Sequence, residues 1–142
     1  MQISKAAATW QGGFKDGKGT MKGAHAPEAG FTAGSRFEGQ TGSNPEELVG
    51  AALAGCFSMA LTLNLEKAGM KPSRIDTTAD VKLEKIEAGQ TITEIALVTK
   101  ALVPGADAAK FQEVAEATKK GCPVSRALAS AKISLQATLS NG

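Results

Sequence analysis

Apolar and polar residues alternate along residues 75–84, where Ile75, Thr77, Ala79, Val81 and Leu83 are interleaved with Asp76, Thr78, Asp80, Lys82 and Glu84. A period of two sets one face of a strand against a core and the other in water. The turn at 88–90 then predicts a hairpin into a second strand over about 91–102. Ile133, Leu135, Ala137 and Leu139 repeat the alternation and predict a final strand. At the other end, residues 3–11 and 18–24 read as two strands joined by the turn-rich GGFKDGK. Residues 25–35 read as a loop and SRFEG as a short strand. A 3.6-residue period replaces alternation after Asp107, which predicts an N-capped helix with Phe111, Val114, Ala115 and Thr118 on one face, ended by Gly121. CPVSRALAS reads as a further short helix.

The longest apolar stretch is SNPEELVGAALAGCFSMALTLNL, residues 43–65. After Glu47 it is uncharged for 18 residues until Glu66. Gly50, Gly55, Ser58, Thr62, Asn64 and its many alanines make it a weak membrane span, and no basic flank sets an orientation. A helix apolar on all sides is instead expected to be covered on all sides, by a sheet or by a second chain. Asn44 or Ser43 can cap it with Pro45 in the first turn, and both Asn44-x-x-Glu47 and Ser43-x-x-Glu46 resemble capping boxes. Gly69 and Pro72 supply stop signals. The predicted order is β-β-β-α-β-β-α-α-β. That is one α+β domain over residues 1–142 with mainly antiparallel pairing.

Composition narrows the function. A net charge of +2, without a basic cluster or aromatic platform, argues against nucleic acid as a partner. The N-terminus carries no signal-peptide-like apolar segment, so a cytoplasmic location and no membrane partner are expected. His25 is the sole histidine, which leaves little for a His-rich metal site or a Ser-His-Asp triad. Two cysteines in a reducing compartment are two buried thiols, a redox pair, or one of each. Cys56, inside the apolar helix, fits a plain core thiol. Cys122, between Gly121 and Pro123, falls at a helix start, where a thiol is more easily ionised.

The segments RFEGQTGSNPEELVGAALAGCFSMALTLNLEKAG, IDTTADVKLEKIEAG, TEIALVTKALVPGAD and KKGCPVSRAL resemble the OsmC/Ohr family of cysteine-based hydroperoxide peroxidases over essentially the whole chain. The resemblance implies an intertwined homodimer, with sheets around long central helices and an active site at the subunit interface. It further implies that Cys56 is the peroxidatic nucleophile and Cys122 the resolving thiol. Arg36 of RFEG and Glu47, the second glutamate of NPEEL, would form the activating ion pair. The implied partners are an organic hydroperoxide and an external dithiol reductant; metal, haem and flavin are not required, and the role is oxidative or osmotic stress defence.

The chemistry agrees with these assignments. A thiol with an ordinary pKa near 8.5 is only slightly ionised at neutral pH, and burial raises it further. A reactive Cys56 therefore needs a cation such as Arg36, oriented by a carboxylate. Glu47 and Cys56 are nine residues apart, about 13 Å along a helix and roughly 180° around it. Both can serve one site only if Glu47 comes from the other subunit. Leu53, Phe57, Met59 and Phe37 are candidate pocket walls, with Phe57 better suited to packing. The rival readings are a stress-linked structural or binding protein with inert cysteines, and a general thiol–disulfide oxidoreductase; the latter lacks C-x-x-C.

Overall fold

The computed structural model describes residues 1–140. Its elements are β1 (Ala6–Gln11), β2 (Lys18–Gly23), β3 (Ala29–Phe31), α1 (Ala33–Phe37), α2 (Pro45–Lys67), β4 (Arg74–Ile86), β5 (Gly89–Leu102), α3 (Ala108–Gly121), α4 (Pro123–Ala127) and β6 (Lys132–Ser140). The class is α+β, as expected, with two three-stranded sheets ordered β1-β2-β3 and β4-β5-β6. The chain divides into two compact units, Met1–Leu48 and Val49–Gly142.

In the first unit all strand pairing is antiparallel. Gly19 of the middle strand is registered with both Trp10 and Phe31. A Cβ at Gly19 would lie 2.7 Å from each of those rings, so glycine is what lets them close over the strand, their centroids 5.4 Å apart. The expected short strand at SRFEG is a helix instead: α1 covers Ala33–Phe37, and the third strand lies upstream at Ala29–Phe31. The reason is a capping box. Thr32 Oγ1 accepts from the Ser35 N–H at 3.0 Å and Ser35 Oγ accepts from the Thr32 N–H at 2.9 Å, which satisfies two free helix donors at once.

In the second unit β4 and β5 run antiparallel from Arg74↔Leu102 to Ile86↔Gly89, with an irregularity between Lys82 and Leu83. The alternation read in β4 holds from Ile75 to Val81, where Ile75, Thr77, Ala79 and Val81 are half-buried and Asp76, Thr78, Asp80 and Lys82 exposed, and it lapses after the irregularity, where Leu83 and Glu84 are both half-buried. β6 pairs in parallel with β5. A parallel neighbour needs a long crossover, and α3 with α4 is that crossover. α2 lays Leu53, Phe57, Leu61 and Leu65, four residues apart and fully buried, into a core with Ile95, Leu97, Val103, Phe111 and Ala115. Each such side chain contributes about 2 kcal/mol by leaving water.

Polar groups fix the helix on its sheet. Ser58 Oγ lies 2.7 Å from Thr77 Oγ1, which lies 2.9 Å from Thr99 Oγ1. Asn64 Nδ2 donates to Thr118 Oγ1 at 2.9 Å, tying α2 to α3. Gly50 leaves room for Val81, whose Cγ2 would stand 3.1 Å from a Cβ there. α2 has the length and mean hydropathy (1.8) of a membrane span, yet one side of it forms this core. Among the described residues nothing covers the opposite side: Leu48, Met59 and Leu63 are 42, 76 and 52% exposed.

Candidate active site

Cys56 lies half-buried in the middle of α2, and Cys122 is 2% exposed where α3 ends and α4 begins. The α3 ladder closes through the Cys122 N–H to the Thr118 carbonyl at 2.9 Å, and the Arg126 N–H opens α4 on the Cys122 carbonyl at 3.0 Å. Cys122 is thus fixed from both sides at a helix junction, as its Gly–Cys–Pro setting predicts. Both thiols are free, and their sulfurs are 2.7 Å apart.

The pair is electrostatically unequal. Burial pushes the Cys56 thiol up, the hydrogen bond with Cys122 adds to this, and the Val124 N–H only partly offsets both. Burial acts on Cys122 in the same sense but is outweighed by its hydrogen bond with Cys56 and by Ser125 and Val124, so this thiol lies below its usual range. Ser125 contributes its backbone N–H and its hydroxyl. The hydroxyl is buried and makes no formed hydrogen bond, so its influence is one of proximity. Negative charge therefore favours Cys122 and the remaining proton favours Cys56.

In the other unit, α1 presents Arg36 to the first turn of α2. Arg36 Nη2 donates to Glu46 Oε1 at 2.6 Å, and Nε donates to both carboxylate oxygens at 3.2 and 3.3 Å. The Glu46 side chain is 8% exposed and that of Arg36 34%. The guanidinium also sits 5.1 Å from the centre of the Phe37 ring, within cation–π range. This corrects the expectation for Glu47: within the chain the carboxylate paired with Arg36 is Glu46. Glu47 takes the local role, its N–H donating to Asn44 Oδ1 at 2.9 Å and its carboxylate accepting from Ser43 Oγ at 2.7 Å. Successive helical residues point about 100° apart, so only one of the two can face α1 while the other folds back over the cap.

The pocket walls are also revised. Leu53 and Phe57 are wholly in the core and Met59 is exposed, whereas Phe37 lines a cleft of about 340 Å³ with Trp10, Phe14, Phe31 and Arg36. Four of the chain's six aromatic residues thus gather around one guanidinium. Sequence reading missed Trp10 and Phe14; the one available signal was Gly19 between two aromatic-bearing strands. His25 is exposed in the β2–β3 connection. Among the described residues no three His, Cys, Asp or Glu side chains stand together as metal ligands.

A family model of OsmC-like proteins matches residues 37–137. The chain is 50% identical over 130 residues to a protein named peroxiredoxin OsmC from Escherichia coli (strain K12), covering 87% of this chain and 88% of that one. The crystal structure of an organic hydroperoxide resistance protein from Elizabethkingia anophelis superposes with a TM-score of 0.73 at 28% identity, covering 99% of both chains. OhrB, the organic hydroperoxide resistance protein of Bacillus subtilis, superposes with 0.70 at 27% identity over 96% of this chain and 98% of its own. With its sequence matched over most of its length and its fold over nearly all of it, this chain belongs to the OsmC-like protein family.

Proposed function

We propose that this protein is a thiol-dependent peroxidase that reduces organic hydroperoxides to alcohols, with Cys56 as nucleophile and Cys122 as resolving thiol. The observation that carries this reading is the meeting of two free thiols, 66 residues apart in sequence, at 2.7 Å. The Cys56 thiolate attacks the terminal peroxide oxygen and the alcohol leaves. The sulfenic acid so formed condenses with Cys122, releasing water and leaving a disulfide. An external dithiol then restores both thiols by exchange. The aromatic cleft at Arg36 supports an organic substrate over hydrogen peroxide, because its walls bury apolar surface.

Burial and the neighbouring thiol hold Cys56 up, so a cation has to reach it for reaction at neutral pH. Arg36, anchored by Glu46, is the proposed source, in an active site at the interface of a homodimer. The uncovered face of α2, with Leu48, Met59 and Leu63, supports a second copy as its cover. The proposed setting is cytoplasmic stress defence. Mild peroxide followed by intact mass under non-reducing conditions tests the chemistry: the peroxidase loses two hydrogens per chain, and turns over cumene hydroperoxide with a dithiol. An unchanged mass would leave the cysteines inert, and full activity in Cys56→Ser would remove the nucleophile. A disulfide exchanger without peroxidase activity would fail the cumene hydroperoxide assay.

A further inference from the structure

Two short helices in this chain begin alike and end up differently wired. In α1 the cap Thr32 and the third helical residue Ser35 bond reciprocally. In α4 the cap Cys122 and the third helical residue Ser125 hold the same positions, but Cys122 makes no side-chain cap bond. Ser125 is 4% exposed, and its Oγ is the one buried side-chain polar atom without a partner among the described residues. Leaving a buried hydroxyl unpaired is costly. The third helical position carries its side chain back over the cap, and Cys122 has turned its sulfur to Cys56. The unused hydroxyl is therefore stored beside a sulfur that must carry charge at one step of the cycle.

We infer that Ser125 serves the reductive half of the reaction, donating its hydroxyl to Cys122 as that sulfur leaves, so that the reductant enters at Cys56. This rests on the disulfide cycle proposed above and adds its direction. The thiolate of the reductant attacks Cys56 Sγ. The reductant–Cys56 bond forms, the Cys56–Cys122 bond breaks, and its electron pair departs on Cys122. The second thiol of the reductant, once deprotonated, then attacks its own bound sulfur, releases Cys56 as a thiolate and closes the oxidised reductant. Accessibility points the same way, since Cys56 is partly exposed and Cys122 is 2% exposed. A leaving thiolate that is better stabilised leaves faster, and the readier ionisation of Cys122, whose thiol lies below its usual range, accords with that.

The test forms the disulfide with diamide, so that it does not depend on peroxide chemistry, and follows its reduction by dithiothreitol in stopped flow. A hydrogen bond to a charged acceptor corresponds to about a tenfold effect or more, so Ser125→Ala is expected to slow reduction about tenfold. Oxidation of the reduced protein by cumene hydroperoxide should stay within twofold, and Ser125→Thr, which keeps the hydroxyl, should recover the reduction rate. A merely structural serine would slow both halves together or neither, and either result overturns the proposal. A second measurement needs no variant: the diamide-formed disulfide is opened by 2-mercaptoethanol, quenched in acid and mapped by peptide mass. The adduct is expected on Cys56; an adduct mainly on Cys122 refutes the direction. If peroxide fails to form the disulfide while both diamide experiments succeed, the peroxidase reading fails and this one stands.

Discussion

Glu46→Ala is expected to lower kcat/KM for cumene hydroperoxide by 30- to 100-fold, about what separates a fixed guanidinium from a free one. In the structure, three N–H···O contacts from Nε and Nη2 hold Arg36 on a carboxylate that is 8% exposed. Without it the arginine recovers rotamer freedom of about 2 kcal/mol, which must be lost again in each turnover. At 1.36 kcal/mol per tenfold, that is roughly 30-fold, and a misplacement of about 1 Å raises the loss toward 100-fold. Glu47→Ala removes only an exposed contact with Ser43 Oγ and leaves the backbone bond to Asn44 in place. Its effect should stay within threefold on kcat/KM and below about 1 kcal/mol on stability. The assay is steady-state turnover with a dithiol, beside thermal melts that confirm folding. A loss in Glu47→Ala equal to or larger than that in Glu46→Ala would refute the assignment of the anchor.

Three further outcomes follow from the same geometry. Phe57→Ala empties a fully buried site and should cost about 3–5 kcal/mol in urea unfolding with an unchanged m-value; a loss under about 1 kcal/mol would place Phe57 outside the core. Met59→Glu puts a charge on the uncovered face of α2, where Met59 is 76% exposed, and should shift sedimentation from the proposed dimer to monomer; an unaltered dimer would move the interface elsewhere. Cys122→Ala removes two of the influences that hold Cys56 up, leaving burial opposed by the Val124 N–H. Because a lower pKa means more thiolate at a given pH, iodoacetamide labelling of Cys56 should rise at lower pH in the variant; an unmoved profile would show that the thiols do not share a proton.

What could be read in advance was local. The alternation of Ile75 to Val81, the Asp107 cap and the placing of Cys122 at a helix boundary each depend on residues a few positions apart, and each is found. Thr32-x-x-Ser35 was legible in the same way but lies in a Gly/Ala-rich run that reads as loop and strand, so α1 was missed. Glu46 and Glu47 are chemically identical and adjacent; which of them meets Arg36 depends on the side from which α1 approaches. The aromatic cleft is nonlocal too, since Trp10 and Phe31 meet only through the register of three strands. The coverage of α2 was left open between a sheet and a second chain for a thermodynamic reason: an all-round apolar helix states that it needs cover, not which chain provides it.

The 66-residue separation of Cys56 and Cys122 would make the redox state of the protein a matter of fold stability as well as of chemistry. Joining the sulfurs would close a loop that takes in β4, β5 and α3, and closure of that length removes about 4 kcal/mol of chain entropy from the unfolded state. In the proposed cycle, oxidation would therefore raise the stability against unfolding at the moment the enzyme waits for its reductant, and reduction would lower it again. A cell short of reducing power would accumulate the more durable form, so the resting inventory of this protein would outlast the stress that disarmed it.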